Sequence, residues 1–354
     1  MTGLNSSERR IPVVSVPIEY YIRAKALLSS YLHSRFKVAF SHCKAYIPLT
    51  EDINPTFLPS LDGFNGSFEY FSAKIFPFRT TSLGLKELEK KHGIKMPKSI
   101  NIIGDILTIN EIPEDSTDKA DLVGSILRHN FGVRAVFLKV REYSGTIRVA
   151  SWRKLCGWGD TFTLHKENGC YFALDISKVF FNPRLGTERL RITNMIQYPE
   201  NVIDMFAGVG PFAIQIAKKT GSFVHAIDIN PNAIKFLEIN QNINKVNINI
   251  VEGDAKEVIH SIRDMADRII MNFPERSMDF LNDAISKLRV GGIIHLYLFL
   301  RRHEINDMEH EIAGLVKDFF ENDISLTIHR KLILEAAPHK YLVCFDIHTH
   351  RTSS

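Results

Sequence analysis

From residue 201 to 299 the chain alternates short apolar runs with segments of helical period. The apolar runs are NVIDMF (201–206), FVHAID (223–228), INIV (248–251), RIIMNF (268–273) and GIIHLYLF (292–299). Between them, apolar positions recur at spacings of three and four over residues 211–219, 231–243 and 278–288. Strands this short and this uniformly apolar are covered on both faces, and intervening helices make them parallel βαβ units. The expected fold class is α/β, a doubly wound, mostly parallel, Rossmann-like sheet. A helix around 304–320 is followed by two more strands, near 324–333 and 340–347, which predict an antiparallel hairpin at the sheet edge.

The preceding residues have a different pattern. A strand (INIIGDILTI) and a helix (KADLVGSILRHNFG) lead into four runs of period two: AVFLKV, GTIRVAS, TFTLHKENG and CYFALDI. Turn pairs at Ser144-Gly145 and Asn168-Gly169 predict an antiparallel sheet with a hairpin at the second. Closer to the N-terminus the pattern predicts a helix over Tyr20–Leu32, strands at Phe36–Phe40 and Tyr70–Ile75 about a turn-rich stretch (Asn54–Ser67), and a charged helix, LGLKELEKKHG, closed by Gly93. At 354 residues the chain exceeds a single core. Three domains are expected: an N-terminal α/β domain (1–94), a central α+β domain (95–190) and the α/β sheet domain (191–354).

Composition narrows the class only a little. An apolar share of 45% and a charged share of 24% are those of an ordinary globular protein. A net charge of +4 permits a nucleic-acid partner without requiring one. The four cysteines (Cys43, Cys156, Cys170, Cys344) are scattered, so neither a zinc site nor a disulfide framework is expected. There is no 18-residue apolar run and no apolar leader at the N-terminus. A cytoplasmic monomer without membrane contact is the expectation.

Candidate chemistry gathers at the strand ends. The loop after the first parallel strand reads Asp204-Met-Phe206-Ala-Gly208-Val-Gly210-Pro-Phe212. Glycines at 208 and 210 permit a sharp turn and close approach of a ligand. A dinucleotide fingerprint would carry a third glycine where Ala213 stands, and here an acid opens the loop instead, favouring a cationic, phosphate-free ligand. Asp228, ending the second strand before Ile229, suits a pair of ribose hydroxyls. Asp254, before Ala255 and after the third strand, suits an adenine amino group. Each acid alone equally suits a helix N-cap. Taken together, DxFxGxGxF, DxNP, GDA and the polar NFP resemble the class I methyltransferases, and this resemblance implies S-adenosylmethionine as cofactor.

The fourth strand ends Asn272-Phe273-Pro274-Glu275, lacking the terminal aromatic of the N/D-P-P-Y/F signature of exocyclic-amine methylases. The stretch HKENGCYFALDISKVFFNPRLGTERLRI (165–192), followed by DMFAGVGPF and DRIIMNFPERSMDFL, resembles the archaeal and eukaryotic tRNA (guanine-37 N1)-methyltransferase family over residues 95–350. The resemblance implies Glu188 as general base, Arg148 as the arginine stabilising O6, and Asn272 with Pro274 as the guanine-positioning pair. It places Asp204, Phe206, Gly208, Gly210, Asp228, Ile229, Asp254, Ala255, Asn272 and Arg189 around the cofactor, with no metal. The tRNA would be held at its anticodon loop and, by the first 90 residues, at its outer corner.

The chemistry suits these residue types. Guanine N1 becomes a nucleophile when its proton leaves, which a carboxylate within hydrogen-bond reach can accept. The charge that then spreads to O6 is stabilised by an arginine. Lys139, Arg141, Arg148, Arg153, Lys154, Arg184, Arg189 and Arg191, interleaved with Phe180 and Phe181, form a candidate basic and aromatic RNA surface. Plainer readings exist for each. Glu188 in TERLRI suits a helix glutamate paired with Arg191 or Arg184, Arg148 suits a solvated strand arginine, and the two phenylalanines suit packing. Alternative functions are a wybutosine-pathway enzyme of the same fold, by aminocarboxypropyl transfer or C7 methylation, and a non-catalytic RNA-binding protein.

Overall fold

The computed structural model describes residues 10–50, 53, 62–72, 82–144, 149–320 and 324–351, and the side chains of 141–144 fall outside that description. Arg148 and the side chain of Arg141 are therefore not placed. The chain forms two compact units, Met1–Lys166 with Tyr171–Pro183, and Glu167–Cys170 with Arg184–Ser354.

In the first unit, β1 (Arg10–Pro17), β2 (Ala39–Ser41), β3 (Lys44–Pro48) and β4 (Ser67–Ser72) make an antiparallel sheet in the order β2-β3-β1-β4. The predicted helix over 20–32 is the shorter α1 (Tyr21–Leu27), continued by a 3-10 turn at Ser29–Tyr31. The helix α2 (Leu85–His92) ends as expected at Gly93, whose φ of 63° is the left-handed C-cap conformation. The run INIIGDILTI is not one strand. Gly104, at φ 59°, turns it back on itself as β5 (Ile100–Ile103) and β6 (Ile106–Ile109), paired Ile103 to Ile106. A Cβ at Gly104 would lie 2.2 Å from Thr163 Oγ1, so only glycine fits the turn. The buried Asp105 beside it accepts from Arg134 Nε (2.9 Å), Phe40 N (2.8 Å) and Thr163 Oγ1 (2.8 Å). After α3 (Ala120–Phe131), β7 (Ala135–Ser144) and β8 (Val149–Gly157) complete a sheet ordered β5-β6-β7-β8. Finally β9 (Phe162–Glu167) and β10 (Cys170–Asp175) form the expected hairpin, with its tip assigned to the second unit.

The second unit is the α/β sheet. It contains α4 (Gly186–Met195), then β11 (Asn201–Asp204), α5 (Ala213–Thr220), β12 (Phe223–Asp228), α6 (Pro231–Asn244), β13 (Asn249–Glu252), α7 (Ala255–Ser261), β14 (Ala266–Met271), α8 (Leu281–Lys287), β15 (Leu288–Arg301), α9 (Ile305–Phe319), β16 (Ile324–Ala337) and β17 (Lys340–Arg351). The sheet order is β13-β12-β11-β14-β15-β17-β16, parallel except for β17, which runs antiparallel to both neighbours. Counted within the unit this is 3-2-1-4-5-7-6. The direction of winding reverses between β11 and β14, and ligands of such sheets gather at the carboxyl ends beside that point. Ile203, Met205, Ile269, Met271 and Leu296 from the sheet share one core with Ile285, Ile312 and Val316 from α8 and α9.

Candidate active site

Three adjacent strands, β11, β12 and β13, deliver carboxylates to the same end of the sheet. Asp204 ends β11. It is buried, and its carboxylate faces the amides of Phe206 and Ala213 without a hydrogen bond of ordinary length and angle among the described residues. Burial, aided by the neighbouring charge of Asp228, pushes its carboxyl up to about 7. Asp228 ends β12 and pins the loops around it, accepting from Gly208 N at 2.7 Å and Asn230 N at 2.8 Å. Burial raises its carboxyl too, against the pull of those amides. Asp254 caps α7 by accepting from Lys256 N at 2.9 Å, and Ala255 is the buried first residue of that helix.

The glycine loop divides its labour. Gly208 adopts φ 56° and presents its amide to Asp228. Gly210 adopts φ 86°, and a Cβ there would meet Leu237 Cδ1 at 2.2 Å and Ile214 Cδ1 at 3.0 Å. The close approach that requires Gly210 is thus to helices α5 and α6, not to ligand space. Phe206 packs edge-on against Phe280 at 5.0 Å and against Phe273 at 5.2 Å, while Ile229 is 41% exposed beside Asp228.

Glu188, in the first turn of α4, is 3% exposed. Arg191 donates to it through Nε (2.8 Å) and Nη2 (2.6 Å), and Tyr297 Oη donates to its Oε1 at 2.8 Å. The β14–β15 register pairs Met271 with Leu296, so Asn272 and Tyr297 are the next residues on adjacent strands. Glu188 is thereby tied to the strand end that carries Asn272, which is half-buried, and Pro274, which is buried. Arg189 points elsewhere. It is 2% exposed, donates through Nη1 to Glu167 Oε1 and Oε2 (2.9 and 2.7 Å), and its charge acts on Asp204. Its guanidinium lies 5.9 Å from the Phe212 ring.

One expectation needs correction. Arg189 and Arg191 do not belong to an open basic surface, because each is committed to buried carboxylates. Phe181, as the packing reading of the two phenylalanines expects, is core, packed on His165 and Phe172. Arg153 pairs with Asp121 at the surface, at 2.9 Å. Sequence reasoning also missed Tyr297, His295 and Asp346. The signal was a polar residue interrupting an otherwise apolar strand, since a buried polar group needs a partner. His295, Cys344 and Asp346 come within 4.8 Å of one another, a spacing open to a metal ion. Arg191 already donates to Asp346 and Arg268 to His295, so two guanidinium charges stand where a cation would go.

A sheet ordered 3-2-1-4-5-7-6, with acids at three adjacent strand tips beside the switch point, defines a class I S-adenosylmethionine-dependent methyltransferase. The chain belongs to the TRM5/TYW2 methyltransferase family, whose domain model matches residues 163–320. It is 47% identical over 254 residues to the tRNA (guanine(37)-N(1))-methyltransferase Trm5b of Pyrococcus abyssi, covering 71% of this chain and 74% of that one. A crystal structure of Trm5b from that organism superposes with a TM-score of 0.65 at 33% identity, covering 96% of this chain and 99% of the other. The tRNA 4-demethylwyosine(37)-methyltransferase Taw21 of Saccharolobus solfataricus is 34% identical over 256 residues, 71% of this chain and 93% of its own. A crystal structure of Methanocaldococcus jannaschii TYW2 with AdoMet matches 72% of this chain and 100% of that one, with a TM-score of 0.55 and 25% identity.

Proposed function

We propose that this protein methylates N1 of guanine 37, next to the anticodon of tRNA. The observation that carries the reading is the 47% identity to a tRNA (guanine(37)-N(1))-methyltransferase over 254 residues. The site's chemistry suits the cofactor. Asp204 offers a buried carboxylate to a cationic group, and Asp228, already anchored by two amides, keeps lone pairs for ribose hydroxyls. Asp254 and Ala255 are proposed for the adenine edge, Phe206 and Ile229 for its apolar faces, and Gly208 and Gly210 for the shape of the loop. Arg189 acts through its charge on Asp204.

S-adenosylmethionine, when bound, would supply a methyl group to N1, its sulfur keeping the electron pair of the broken bond and departing as a neutral thioether. Glu188 would take the N1 proton, so that the N1 electron pair is free to accept the methyl group. Asn272 has a donor and an acceptor to fix the guanine edge, and Pro274 fixes the backbone there. Arg148 is proposed, on resemblance alone, to meet the charge that develops on O6. The tRNA is proposed to be held at its anticodon loop and outer corner, with residues 1–94 serving the latter.

The likeness to Taw21 supports a second reading, in which the same donor serves a wybutosine-type base at position 37. Mass analysis of nucleosides separates the two. The protein is incubated with S-adenosylmethionine and either an unmodified transcript bearing guanine 37 or tRNA bearing 4-demethylwyosine. N1-methylguanosine from the first supports the proposal. Product from the second alone overturns it.

A further inference from the structure

Glu188 is one of two buried carboxylates that share a single guanidinium. Arg191 gives Nε and Nη2 to Glu188, and Nη1 and Nη2 to Asp346 at 2.7 and 3.2 Å. The row continues beyond Asp346. His295 Nδ1 lies 2.5 Å from Asp346 Oδ1, His295 Nε2 faces Arg268 Nη1, and Arg268 donates to Glu200 at 2.7 and 3.0 Å. Burial holds His295 below the ordinary imidazole value, so it is neutral. Its partners then fix the tautomer: Nδ1–H donates to Asp346, and Nε2 accepts from Arg268. Charges along the row are negative at Glu200, positive at Arg268, none at His295, negative at Asp346, positive at Arg191 and negative at Glu188. One negative charge is left over.

The groups facing Glu188 from other elements decide where that surplus is felt. Tyr297 from β15 and Cys344 from β17 are pushed well up by burial and remain protonated. Lys331, from β16, comes only to 4.0 Å of Glu188 Oε2 and is half exposed. Burial works against ionised Asp346, yet hydrogen bonds from His295 and Arg191 hold it well below the usual carboxylate range. Asp346 therefore keeps its charge and its claim on Arg191. Among the described residues, Glu188 Oε1 accepts from Tyr297 and Arg191, while Oε2 has one short bond, from Arg191. Oε2 is the oxygen able to take a proton.

We propose that Asp346 is a positioning residue for the reaction: by holding half of the Arg191 guanidinium it leaves Glu188 incompletely neutralised, able to accept a proton at Oε2. This rests on the reading of Glu188 as base. Loss of the Asp346 charge hands Arg191 wholly to Glu188, and an undivided opposite charge disfavours the protonated carboxyl.

The test is the pH dependence of single-turnover methylation of an unmodified tRNA transcript, by wild type, Asp346→Asn, Asp346→Glu and Glu188→Gln. In Asp346→Asn the acidic limb of the profile moves to lower pH, the direction an undivided opposite charge gives, and the plateau falls several-fold. Asp346→Glu restores the limb towards its wild-type position. Glu188→Gln loses the limb, along with about 10²–10⁴-fold in rate. Should Asp346→Asn fail to fold, Asp346→Ser makes the same comparison without adding an N–H beside His295. A neutral variant that slows the reaction while its limb stays at the wild-type pH makes Asp346 merely structural and overturns the inference. A Glu188→Gln enzyme that keeps the wild-type limb overturns the base assignment itself, and this inference with it.

Discussion

At the scale of single residues, the site keeps its carboxylates under unlike conditions. Asp228 is the proposed ribose ligand and also the anchor of Gly208 and Asn230. A charge-assisted hydrogen bond is worth roughly 1.5–3 kcal/mol, so Asp228→Ala should weaken S-adenosylmethionine binding by about ten- to a hundredfold in calorimetry. An unchanged dissociation constant would remove Asp228 from the site. Asp204 supplies a pH signature. Its folded carboxyl is raised to about 7, above the unfolded value of 3.8. Its stabilising contribution is therefore full at low pH and is lost as pH rises through 7. If a cationic group of the cofactor pairs with the ionised form, binding at pH 6 releases a proton from Asp204. Affinity should then rise towards pH 7 and level off above it. Calorimetry in buffers of different ionisation enthalpy reads the proton directly, and Asp204→Asn should abolish the release. These acids were legible in the sequence because each ends a strand within a short local motif. The Glu188–Arg191–Asp346–His295 row was not, since its members come from residues 188 to 346 and no spacing links them.

At the scale of elements, the parallel strands were legible because they are buried on both faces and read as unbroken apolar runs. Where a strand carried turn chemistry, the pattern misled. Gly104-Asp105 is a two-residue hairpin turn inside INIIGDILTI, and the apolar residues on both sides made it look continuous. Strand β1 was missed because Pro12 and Pro17 argue against a sheet interior, yet β1 pairs on both sides with β3 and β4. Gly210 shows how a motif residue serves packing. Gly210→Ala combines a φ of 86° with a Cβ driven against Leu237. Strain of this kind costs about 1–3 kcal/mol. The variant should melt earlier and bind cofactor less tightly, as followed by thermal unfolding with and without S-adenosylmethionine. Wild-type melting and affinity would mean that the loop has room the packing denies.

At the scale of the whole molecule, every cofactor residue proposed above belongs to the second compact unit, whereas Trp158 of the central region packs against Tyr46 and Phe71. The proposed boundary near residue 95 therefore cuts through the packing of one compact unit. A chain starting at Lys95 should bind S-adenosylmethionine within about twofold of the full protein, because a unit with its own core retains its site. It should also melt earlier, having lost the partners of Trp158, and methylate tRNA poorly. Loss of cofactor binding on truncation would place the first 94 residues within the catalytic core. The central claim is that the base at position 37 is the methyl acceptor, and transfer of labelled methyl to paired transcripts tests it most directly. Two unmodified tRNA transcripts differ only at that position, guanosine in one and adenosine in the other. The account predicts label in the guanosine transcript, recovered as N1-methylguanosine, and none above background in its partner. Equal labelling of both, or label recovered from another nucleotide, would contradict it.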